Sequence, residues 1–139
     1  MRIATRFTIA VHVLSILGMV MAPDPTSEYM AERIGVNPAM VRHVTSMLRK
    51  AGLVSSSQGK AGTHLAKRLD KISLLDVYYA VNAAEELFSM HENPKADCPV
   101  GGNIAEVLGG VLTEAQRTME EKLASSTMES IVDEIRLRN

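Results

Sequence analysis

The sequence predicts a mainly α-helical domain with one small β-hairpin, on three observations. Apolar residues recur at three- and four-residue steps through most of the 139 residues. Only two short stretches, 53–57 and 63–66, are compatible with strands, and glycines Gly59 and Gly62 lie between them. Helix caps and breakers divide the rest into segments of ordinary helix length. The length is that of about one domain, since domains usually run roughly 100–200 residues.

Taken in order, a first helix runs from about Ala4 to Val20 and ends before Pro23 and Pro25. Phe7, Val11, Leu14 and Leu17 keep helical spacing in it. Arg2 and Arg6 before this apolar run resemble a secretory leader, but His12 interrupts it. The run is also short for a membrane span, so a buried first helix is the reading, with His12 packed in the core. Thr26 or Ser27 caps a second helix with Glu28 in its first turn and Met30, Ala31 and Ile34 inward. Gly35 supplies a left-handed stop. Asn37 followed by Pro38 is a strong start for a third helix, which turns Val41, Val44 and Leu48 inward and stops at Gly52. After the hairpin, Ser73 and Asp76 form a capping box for a fourth helix, Leu74–Val81.

From 82 to 102 the periodicity blurs, broken by Pro94 and Pro99. Ile104, Leu108, Val111, Leu112, Ala115, Met119 and Leu123 then mark a long amphipathic helix with an apolar seam. Ser126 or Thr127 caps a last short helix reaching about Leu137. The expected organisation is residues 1–81, including a hairpin at 53–66, a linker or sensor loop at 82–102, and two helices in 103–139. The scattered methionines (Met19, Met21, Met30, Met40, Met47) read as core filling rather than a ligand pocket.

Composition narrows the function. The apolar fraction is 46% with mean hydropathy +0.04, too high for a disordered chain and suggestive of an oligomer interface. Aromatics are 4% with no Trp, which argues against a base-stacking RNA surface or an aromatic-lined sugar site. One Cys excludes an intrachain disulfide framework and points to a reducing, cytoplasmic compartment. The net charge of −1 hides a strong asymmetry. Residues 1–70 hold nine Lys and Arg against four acids, an excess of five positive charges. Residues 71–139 hold six bases against twelve acids, an excess of six negative charges. A basic half fits a polyanion on one face.

Two helices joined by a tight glycine turn fit helix-turn-helix geometry, in which the second helix enters the DNA major groove. Outward positions there are Pro38, Ala39, Arg42, His43, Ser46 and Arg49. Arg bonds guanine in bidentate fashion, and Ser bonds bases or phosphate. An ordinary helical hairpin with a solvated basic face is the competing reading of this segment alone. The hairpin immediately after it reads as a wing, with Gln58, Lys60 and His64 within reach of phosphate or the minor groove. Arg6 and Lys50 would add salt-sensitive phosphate contacts. The seam from Ile104 to Leu123 would pair with a twin helix, giving a dimer on a palindromic site, unless it packs back on its own domain.

These residues also carry a resemblance. Arg2-Ile3, Val36 to Pro38, Leu48 to Val54, the Gly59/Gly62 wing and Ile72 to Val77 together resemble the Rrf-two (Rrf2) family of bacterial winged-helix transcription regulators, relatives of IscR, NsrR and CymR. Glu85 to Phe88, His91 to Pro94 and Cys98 to Gly101 are most like its YwnA-like branch. The resemblance spans nearly the whole chain and implies a homodimer with crossed long helices and wings on double-stranded DNA. Cluster-binding members carry three cysteines before the dimer helix, whereas this chain has Cys98 alone, so no cofactor is expected. Two Cys98 thiolates from a dimer would still need partners such as His91. The wing lacks the family's Arg-Gly start and Gly-Gly-Tyr end, leaving Lys60 and His64 in place of a wing arginine. Arg42 fills a slot that helps set operator choice in relatives, so a different operator is implied.

Cys98 reads either as a redox sensor, given a thiolate favoured by the following helix N-terminus, or as a small buried residue beside a turn. His12, His43, His64 and His91 lie in different segments without shared partners, and no acid–base pair or phosphate loop appears, so neither an enzyme nor a metal site is expected. The resulting expectation is a cytoplasmic, homodimeric DNA-binding repressor, open to a small-molecule or protein effector at 82–102 and without a membrane partner. The alternative is a protein-interaction adaptor built on the same scaffold.

Overall fold

A computed structural model of the chain describes residues 3–56, 59, 62–82, 91 and 95–139. Six α-helices and a two-stranded hairpin are present among them. Helix α1, Ile3–Gly18, is the centre of the domain and packs against α3, α4 and α6. This explains its apolar composition: Ile9, Ala10, Val13, Leu14, Ile16 and Leu17 are all buried. His12, by contrast, is exposed, because it falls on the one stretch of the helix surface that no neighbour covers. The core-histidine reading is therefore corrected.

Helix α2, Ser27–Ile34, is capped by the Thr26 side chain, which accepts from the Tyr29 amide at 3.1 Å. It ends at Gly35, whose φ of +84° is open to glycine at no steric cost, with its amide donating to the Ala31 carbonyl. Helix α3, Pro38–Lys50, begins where Asn37 Oδ1 accepts from the Met40 amide at 2.9 Å. Val41, Val44 and Leu48 are fully buried, as the spacing predicts. The hairpin is shorter than the sequence suggests. Strand β1, Val54–Ser55, pairs antiparallel with β2, His64–Leu65. One further cross-strand bond runs from the Ala66 amide to the Leu53 carbonyl at 3.0 Å, while at the other end the Thr63 amide turns away to donate to the Pro25 carbonyl at 3.1 Å.

Helix α4, Leu74–Asn82, starts on the expected reciprocal capping box, with both the Ser73 and Asp76 bonds at 3.0 Å. Helix α5, Ile104–Ala124, packs on α4, yet not one of its residues is buried. Helix α6, Met128–Leu137, is capped by Thr127 and turns back to α1. Its first turn is tied to the start of α4: Met128 donates to the Ile72 carbonyl and Leu74 to that of Ser126, each at 2.8 Å. Met128 and Val132 are fully buried. The 103–139 unit therefore divides, with α5 standing out and α6 completing the core. No helix of the described residues is long and apolar enough to cross a membrane.

Candidate nucleic-acid interface

The face opposite the core side of α3 carries the residues expected to meet DNA. Periodicity alone does this: burying 41, 44 and 48 leaves 39, 42, 43, 46 and 49 outside. Ala39, Arg42, His43, Arg49 and Lys50 are exposed, and Pro38 and Ser46 are half-buried. Pro38 and Ala39 occupy the first turn, the end of a recognition helix that approaches bases. Arg49 and Lys50 lie in the last turn, where the helix dipole favours cations, and neither has an ion pair among the described residues.

Arg42 is different. Its Nη1 lies 3.2 Å from Glu28 Oε1, across the turn between α2 and α3. Both side chains are mostly exposed, at 57% and 70%, so the pair contributes no more than about 1 kcal/mol to stability. Its consequence is the direction it imposes on the guanidinium. Glu28 thus does more than stabilise the helix N-terminus, the role its first-turn position suggests. The tight turn brings residues 28 and 42 together, and only three-dimensional placement reveals it.

The wing base is seated against the loop before α2. Gly62 has φ +110°, and a Cβ there would run into the Asp24 carbonyl oxygen. His64 Nδ1 is 3.7 Å from Asp24 Oδ1, so His64 is drawn toward the loop before α2. Gln58 and Lys60 lie outside the described residues. Between the start of α2, the outer side of α3 and the wing base is a groove of about 350 Å³, lined by Thr26, Glu28, Arg42, Thr45, Arg49 and Thr63. The Thr45 hydroxyl is buried with no hydrogen-bond partner among the described residues. Sequence reading passed over Thr26, Thr45 and Thr63, whose only local signal is capping or helix packing.

Arg6 does not join this face. It is half-buried and donates from Nη2 to Asn82 Oδ1 at 3.1 Å, linking α1 to the end of α4. The bond follows from position 6 lying on the α4-facing side of α1. Arg33 is likewise engaged, stacked 3.4 Å from the Tyr29 ring centroid.

On α5 the seam residues differ in exposure. Ile104, Leu112, Met119 and Leu123 are half-buried, while Leu108, Val111 and Ala115 are exposed. Gln116 anchors the helix by donating to the Tyr78 hydroxyl at 3.3 Å. Val107 on α5 and Val100 in the turn before it, both absent from the predicted seam, are each 67% exposed. Cys98 is exposed, not a buried residue beside a turn. Backbone amides of Gly101 and then Val100 hydrogen-bond the sulfur and hold its pKa below the ordinary thiol value.

Comparison with known proteins follows this geometry. A family model described as Rrf2, iron-dependent transcriptional regulator, matches residues 3–134. YwnA of Bacillus subtilis (strain 168), which bears the name of an HTH-type transcriptional regulator, is 39% identical over 133 residues, covering 96% of this chain and 98% of that protein. A solved structure named only for DNA binding is 36% identical with a TM-score of 0.75, covering 91% of this chain and 97% of its own. The oxidized form of Staphylococcus aureus CymR, at 18% identity, covering 95% of this chain and 96% of its own, shares the fold with a TM-score of 0.70. Among the described residues the iron in the family description finds no grouped set of donors. The chain has one cysteine, and among the described residues no three His, Cys, Asp or Glu side chains are grouped to share a metal. Thiolate ligation of an iron cluster needs more sulfur than this.

Proposed function

Because the chain belongs to the Rrf2 family of transcriptional regulators, matched over residues 3–134, we propose that it is a cytoplasmic homodimeric repressor reading a palindromic operator. The observation that carries this is the outer face of α3, where Arg42, His43, Arg49 and Lys50 are exposed beside the wing base. Pro38, Ala39, Arg42 and Ser46 read base edges in this proposal, and Arg49, Lys50, Gln58, Lys60 and His64 contact the backbone. Helix α5 supports the dimer: a 21-residue helix with no buried residue and two valines, Val107 and Val111, exposed by 62% or more needs a second surface. A twin α5 related by a two-fold axis would set two α3 helices about one DNA turn apart.

An input at Cys98 belongs to the same proposal. The exposed, amide-stabilised thiolate attacks hydrogen peroxide, the O–O bond breaks, hydroxide leaves, and the sulfur is oxidised to a sulfenic acid. Because this turn leads directly into α5, the change would alter the spacing of the two α3 helices.

The test is a mobility shift on the DNA upstream of the protein's own operon across a salt series, followed by footprinting. Sequence preference and a falling affinity with salt are expected; binding with neither removes the regulator reading. Cys98→Ser and the wild type are then compared with and without mild peroxide, and an identical response removes the thiol input alone.

A further inference from the structure

We propose that Glu28 is the positioning residue for Arg42, fixing which edge of its guanidinium is offered to DNA and so how strictly one base pair is read. This rests on the DNA-binding reading above. Among the described lining residues Glu28 is the one carboxylate in a groove whose cations are Arg42 and Arg49. A negative charge on a surface that meets phosphates weakens binding, so its presence needs a compensating role. The geometry supplies one. Glu28 Oε1 engages Arg42 Nη1 at 3.2 Å, which leaves the Nε–Nη2 edge with two parallel N–H groups. That pair of donors matches guanine O6 and N7.

The separation of the two groups is set by rigid elements. Glu28 lies in the first turn of α2 behind the Thr26 cap, and Arg42 in the second turn of α3 behind the Asn37 cap. Gly35 fixes the turn between them in the left-handed conformation. The contact therefore holds a long, otherwise freely rotating side chain in one orientation before DNA arrives. Pre-ordering of this kind favours the matched base over mismatches, because a mismatched site cannot recover the bonds by letting the arginine swing away.

The experiment selects binding sites from a randomised duplex DNA pool with the wild type, Arg42→Ala, Glu28→Ala, Glu28→Gln and the double variant Glu28→Ala/Arg42→Ala. The position at which Arg42→Ala loses preference is the one Arg42 reads. Glu28→Ala is expected to lose up to about fivefold preference there, the most an exposed pair of this kind can supply, and to leave the other positions unchanged. Its affinity for a scrambled duplex rises, since a repelling charge is gone. Glu28→Gln recovers part of the preference through a neutral hydrogen bond. The double variant matches Arg42→Ala, and thermal melting checks that each variant is folded. An unchanged preference in Glu28→Ala overturns the assignment, as does an equal loss when Arg42 is already absent, which would mean that Glu28 meets a base itself. A wild type that selects no sequence removes the DNA reading and this assignment together.

Discussion

Replacing Val111 by Glu on α5 tests the dimer with a magnitude that follows from its exposure. Val111 keeps 62% of its surface open in the single chain. Full burial of a valine side chain contributes roughly 1.5–3 kcal/mol, so covering the open part contributes about 1–2 kcal/mol per protomer. A two-fold interface counts it twice, about 2–4 kcal/mol, and each 1.4 kcal/mol is tenfold in Kd. The dissociation constant of Val111→Glu should therefore rise about 30- to 700-fold, before adding the repulsion of two facing carboxylates. The isolated fold should not suffer, because Glu is a better helix former than Val and position 111 touches no buried core. The assay is sedimentation across a dilution series, with Thr113→Glu, on a different side of the same helix, as the control. A wild type that is monomeric at micromolar concentration refutes the reasoning, and so does a Val111→Glu dimer as tight as the wild type.

Three further outcomes are expected. Arg49→Gln and Lys50→Gln should each lower the slope of log affinity against log salt by about 0.9, measured by titration of labelled duplex, while leaving base preference intact. Met128→Ala should cost about 2–5 kcal/mol in chemical denaturation, because Met128 is fully buried and α6 completes the core. An effect near zero would detach α6 from the DNA-binding domain. For Cys98, whose pKa is lowered by the Gly101 and Val100 amides, the pH midpoint of iodoacetamide alkylation should lie below that of the denatured protein. The sign follows from the thiolate being favoured in the folded chain. Its contribution to stability is present above the unfolded pKa and is lost as pH falls through the folded one.

Much of the fold is local and so was readable in the chain. Thr26, Asn37, Ser73 and Thr127 each cap the helix expected, because a short polar side chain before a periodic run satisfies amides that nothing else nearby can reach. Gly35 and the burial of Val41, Val44 and Leu48 then define both the turn and the exposed face of α3. The DNA-facing candidates on that helix were legible for this reason. Those on the wing were less so, since its strands are only two residues each and draw their position from Asp24 and Pro25 as well as from each other.

By itself the sequence determined the helices, their caps, the tight turn and the charge asymmetry, since each depends on residues a few positions apart. Tertiary structure decided which side of α1 stays bare, leaving His12 outside and turning Arg6 to Asn82. It also decided that α6 returns to the core while α5 does not, and that Glu28 meets Arg42. Such contacts join residues far apart in the chain, and their geometry depends on how helices cross rather than on the period within any one of them.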